Sequence, residues 1–94
     1  MEPTVTDVPD RSRYEIRDGD QLLGLAAYRR HGTQTVFTHT EVDGEGRSGL
    51  GSRLVRAALD DVRRSGGTAV PRCPFVAGWI QRHPEYQDLV DREA

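Results

Sequence analysis

The chain has 94 residues, 13 of them basic and 15 acidic, for a formal charge of −2. That length fits one domain at the usual ~100–200 residues each and excludes a separate cofactor lobe, while the near-neutral charge argues against nucleic acid as a partner. All the basic residues are Arg, so a Schiff-base lysine, a lysine general base and a Walker lysine are excluded together. The single cysteine, Cys73, permits no internal disulfide and no CxxC metal or redox site, which fits a reducing cytoplasm. Neither a signal peptide nor an apolar run of ~18 residues is present, so no membrane partner is expected.

In chain order, residues 1–12 hold Pro3 and Pro9 without an apolar period, and read as a flexible lead-in to one domain over 13–94. Tyr14 and Ile16 alternate with charges, predicting a half-buried strand over Arg13–Asp18 that turns at Gly19-Asp20. A second strand over Gln21–Arg30 and a third over Gln34–Val42, rich in Thr, Val and Phe, complete an antiparallel meander. The glycine-dense segment Asp43–Gly51 then leads into a helix with its stripe at Leu50, Leu54, Ala58 and Val62, stopped at Gly66-Gly67. A short strand is expected over Thr68–Arg72, a second helix over about Phe75–Arg82, and a last helical turn from Pro84. A helical crossover returns the chain in the same direction, so the last strand should run parallel to the third. The fold class is therefore α+β: a mixed, mostly antiparallel sheet with helices packed on it.

Three features can carry chemistry. Gly46–Ser52 opens the long helix; glycines let a backbone approach an anion, and the first-turn N–H groups with the helix dipole can hold phosphate without Lys. The alternative is an ordinary capped turn. Arg47 and Arg53 lie close enough to add phosphate contacts, or they form a solvated face. Cys73 follows a strand that neighbours the glycine-loop strand, and is either a nucleophile assisted by His39 or a small buried apolar residue. Glu41, near the end of the third strand, can take an amine's proton through water or can be a plain exposed carboxylate.

The blocks Phe37–Val42, Gly49–Val55, Pro71–Val76 and Arg82–Val90 together resemble the small stand-alone YjdJ-type branch of the GNAT acetyltransferases, across about Tyr14 to Val90. The resemblance implies an acetyl-CoA-binding fold in which two neighbouring parallel strands splay apart to admit the pantetheine arm. It implies that Gly49, Leu50, Gly51 and Ser52 form the pyrophosphate turn, with Gly46 standing where the motif usually has Gln or Arg. It also makes Cys73 a participant in acetyl transfer or, with Pro74, a wall of the coenzyme channel.

Acetyl transfer needs a held thioester, a hydrogen-bond donor to its carbonyl and a route for the amine's proton. A backbone N–H near Val42 can supply the donor, and His39 or Glu41 the base, with direct attack by the amine or relay through Cys73. The expected function is an acetyl-CoA-dependent N-acetyltransferase acting on a small-molecule or peptide amine, a monomer by default. Two alternatives remain: a coenzyme A-binding module without turnover, and an interaction domain presenting Trp79 to a partner.

Overall fold

Two-residue turns at Gly19-Asp20 and Gly32-Thr33 set the centre of the sheet, pairing Asp18 with Gln21 and His31 with Gln34. They join strands β2 (Arg13–Asp18), β3 (Gln21–His31) and β4 (Gln34–Val42) into the expected antiparallel meander. The computed structural model describes residues 3–43 and 49–91. Helix α1 (Leu50–Arg64) crosses over to β5 (Thr68–Pro71), which lies parallel to β4; helix α2 (Pro74–Gln81) and a 3-10 segment, Pro84–Leu89, follow. The fold is thus a five-stranded, mostly antiparallel sheet with one parallel pair and helices packed on it.

The lead-in expected to be flexible contains an edge strand, β1 (Thr4–Val8), paired antiparallel with β2. Tertiary contacts override the proline signal. Val5 packs against the core, and Asp7 accepts hydrogen bonds from the Tyr28 hydroxyl and the Arg30 guanidinium. Burial, with Asp7 beside it, pushes the Tyr28 hydroxyl up to about 12, so it stays a donor at neutral pH. Pro9 falls just after the strand, where its missing N–H costs no ladder bond.

Both helices cover one face of the sheet. The α1 stripe of Leu50, Leu54, Val55, Ala58, Leu59 and Val62 is buried with Tyr14, Ile16, Ala26, Tyr28 and Phe37, and Val76, Trp79 and Ile80 of α2 join the same core. The Tyr14 hydroxyl donates to Asp61 of α1 at 2.7 Å, fixing the helix over β2. The opposite face, carrying Glu15, Arg29, Val36 and Val70, has no helix over it among the described residues.

On that face Glu15 is 4% exposed between Arg13 and Arg17, whose Nε atoms donate to its two oxygens at 2.7 and 2.8 Å. Burial alone would raise the Glu15 carboxyl, but the hydrogen bonds from Arg17 and Arg13 outweigh it and hold the group below its ordinary range. A carboxyl whose pKa is depressed by folding stabilises the protein above its unfolded pKa of ~4.3, and that contribution fades as pH falls through the folded value. Urea unfolding of Glu15→Gln should therefore show a weaker loss of stability on acidification than the parent. Superimposable acid limbs would remove this assignment.

Candidate active site

The parallel pair ends in a fork. Phe37 and Pro71 are its last partners, and the Phe37 carbonyl accepts from both Arg72 N–H (3.0 Å) and Cys73 N–H (2.9 Å). β4 runs on to Val42 alongside β3, whereas Cys73 starts α2 with Pro74 at the first helical position. Past the fork, one edge of β4 therefore loses its β5 partner. Asp43 N–H bonds Leu23 O, so the main chain of Asp43 and Glu41 faces β3, and that of Val42 and Thr40, by alternation, faces the opened side. These are main-chain groups that an extended ligand can pair with, as the splayed-strand expectation requires.

A bulge decides which side chains line the fork. His39 pairs with Ala27 and Phe37 with Tyr28, so Thr38 is an extra residue in β4. Thr35, Phe37, Thr40 and Val42 therefore point to the helical face, and Val36, Thr38, His39 and Glu41 to the bare one. The exposures agree: Phe37 is 1% exposed, while the His39 and Glu41 side chains are 60% and 65% exposed.

The structure separates residues that the sequence reading grouped. Cys73 is 3% exposed, and its sulfur lies 3.2 Å from the Thr40 hydroxyl on the helical side. His39 Nε2 lies 2.8 Å from Glu41 Oε2 on the other side. The nucleophile–base pairing of Cys73 with His39 is therefore not formed, because strand alternation puts Thr40, not its neighbours, beside the thiol. His39 and Glu41 instead form an exposed imidazole–carboxylate pair.

Helix α1 begins beside the fork. Gly49 holds φ at 87°, a conformation that costs other residues energy, and has no side chain to cap the helix; no acid occupies the first turn. Its carbonyl receives Arg53 N–H at 2.9 Å, the first bond of the helix, leaving the N–H groups of Leu50, Gly51 and Ser52 ahead of it. The Leu50 side chain is core, so only its main chain can serve a ligand. At Gly51 a Cβ would lie 2.6 Å from the tip of the exposed Phe75 ring and 3.5 Å from Val42, so a larger residue where β4, α1 and α2 meet would push that ring aside. Ser52 accepts a 2.8 Å hydrogen bond from Trp79 Nε1, which leaves its own O–H free to donate. Arg53 is exposed on the same turn. Gly46 and Arg47 lie outside the described residues.

Sequence reasoning missed Thr40, Phe75 and the role of Trp79. Alternation back from Val42 would have pointed to Thr40. Nothing local links Trp79 to Ser52, which lies 27 positions away.

A strand edge open among the described residues, beside a glycine-led helix start with no side-chain cap there, can cradle an extended chain ending in an anion. The profile of the GCN5-related N-acetyl-transferase family matches residues 13–89. No curated protein sequence matches the chain. In fold it is similar to the NMR solution structure of a GCN5-like protein from Staphylococcus aureus, with a TM-score of 0.73 and 22% identity over 94% of this chain and 87% of that one. Since the family profile spans everything from β2 to the closing 3-10 segment, the fork and the helix start included, this chain belongs to the GCN5-related N-acetyltransferase family.

Proposed function

We propose that the protein is an acetyl-CoA-dependent N-acetyltransferase in which the amine attacks directly. The observation that carries this reading is the edge of β4 that, among the described residues, has no strand partner past Phe37 and opens beside a start of α1 with no side-chain cap. When bound, acetyl-CoA supplies an acetyl carbon to which the amine nitrogen bonds as the carbon–sulfur bond breaks, CoA leaving as thiol after protonation by water. Leu50, Gly51 and Ser52 would hold the pyrophosphate through main-chain N–H groups and the Ser52 hydroxyl. The N–H of Val42 or Thr40 would donate to the carbonyl oxygen, where charge develops. His39, oriented by Glu41, would take the amine's proton and pass it to solvent. Cys73, buried against Thr40, would line the channel and not carry the acetyl group.

Titration with CoA tests the cofactor half: saturable binding with a raised melting temperature is expected, and neither at millimolar ligand would end this reading. Thiol release with a panel of amines tests the transfer half. Binding without release would leave a coenzyme-binding module in place of an enzyme.

Trp79 enters here as a positioning residue. Trp79→Phe keeps most of the packing but removes the N–H that holds Ser52, so CoA affinity should fall about threefold to tenfold, the effect of one hydrogen bond of ~1 kcal/mol. In a Ser52→Ala background the same change should have no further effect; additive losses would show that the two act separately.

A further inference from the structure

The helix-free face carries a hollow of about 330 Å³ that the proposed reaction leaves unassigned. Its floor is Val36 and Val70, partners in the β4–β5 register, and its rim includes Arg29 and Arg72 with His31. Arg29 pairs with Val36 across β3 and β4, so the rows of three strands converge on one spot. No carboxylate is among the residues that line it. Arg29 and Arg72 are exposed, and among the described residues neither guanidinium has a side-chain hydrogen bond or ion pair. By contrast, Arg13 and Arg17 on the same face are both satisfied by Glu15.

The hollow leads to the fork. Arg72 follows Pro71, the last residue paired with β4, and Thr38 beside it also lines the hollow. Because the bulge turns His39 to the same face as Thr38, the His39–Glu41 pair lies just beyond, on the way to the open edge at Thr40. Two guanidiniums with no side-chain partner among the described residues, over an apolar floor, suit a carboxylate on a short hydrocarbon chain, since Arg binds carboxylate through paired N–H donors. Counted along β3, which has no extra residue here, Arg29 lies three steps from Ala26, the partner of Thr40, ~10 Å at ~3.3 Å per residue; Arg72 lies between the two levels, so a carboxylate shared by both guanidiniums sits ~7 Å from the open edge.

From this arrangement we infer that the acceptor is a small amine carrying a carboxylate ~7 Å from its nitrogen, held by Arg29 and Arg72 on the helix-free face. It enters from the side opposite Cys73 and presents its amine at the fork next to His39. This rests on the acetyltransferase reading above and names its substrate class.

The test compares 6-aminohexanoate with its neutral counterpart 6-aminohexanamide, and with spermidine as a polycation, by thiol release from acetyl-CoA. The acid should be used about tenfold more efficiently than the amide, mainly through KM, as expected for one charge-assisted contact. The Arg29→Gln/Arg72→Gln double variant should bring that ratio to about one, while Arg11→Gln, which removes a charge elsewhere, should leave the ratio standing. Equal use of acid and amide, or a preference for spermidine, overturns the inference and leaves the acetyltransferase reading intact. If CoA binds but no amine releases thiol, the Val36 and Val70 methyl resonances decide. Shifts on adding 6-aminohexanoate that the double variant lacks support the site and remove only the transfer; unshifted methyls overturn it.

Discussion

Gly49→Asp should lower CoA affinity by at least about a hundredfold while the protein stays folded. The two effects come from the same carboxylate. Beside the N-terminus of α1 the Asp carboxylate interacts favourably with the first-turn N–H groups and the helix dipole, by about 0.3–1 kcal/mol. That gain offsets part of the cost, about 1–3 kcal/mol, of holding a non-glycine residue at φ 87°, which Asp tolerates better than most. The same side chain then occupies the donors proposed to hold the pyrophosphate and adds a negative charge against it. Circular dichroism and a thermal melt establish the fold, and calorimetric titration gives the affinity. A folded variant with parental affinity would show that the pyrophosphate is held elsewhere.

Glu41→Gln and Cys73→Ser should separate the two routes of transfer. With direct attack, replacing the Glu41 carboxylate by an amide leaves His39 without its counter-charge as it takes the proton, and kcat should drop by about a hundredfold, the low end of what general-base catalysis contributes. Cys73→Ser keeps a small polar group within reach of Thr40 and should retain at least about a tenth of the parental rate. Mass spectrometry of the parent after incubation with acetyl-CoA should show no acetyl group on Cys73. The opposite pattern, an acetylated Cys73 and an inert Ser variant, would mean that the thiol carries the acetyl group despite having a hydroxyl for its neighbour in place of a base. A Glu41→Gln variant of parental rate would take the proton route away from this face.

Local pattern was enough for the regular elements. The i, i+4 stripe from Leu50 to Val62, the Gly19-Asp20 and Gly32-Thr33 turns, and the parallel return after α1 all follow from short-range sterics and periodicity. The edge strand Thr4–Val8 shows where local reading ends: two prolines flank it, and it forms because Asp7 satisfies Tyr28 and Arg30 on β3, more than twenty positions away.

The residues that can do chemistry on β4 were also visible as residue types, but not their sides. Side chains on a strand alternate, so one extra residue at Thr38 reverses which of His39, Thr40 and Glu41 meets the thiol. That bulge arises from the pairing of β4 with β3, and the fork from the departure of β5 at Pro71; neither is encoded within a short window. Sequence alone therefore determined the elements from β2 onward, the glycine-led helix start and the acetyltransferase resemblance. Tertiary pairing decided that the thiol lies on the covered face and the imidazole–carboxylate pair on the bare one, beside two arginines that have no partner carboxylate among the described residues.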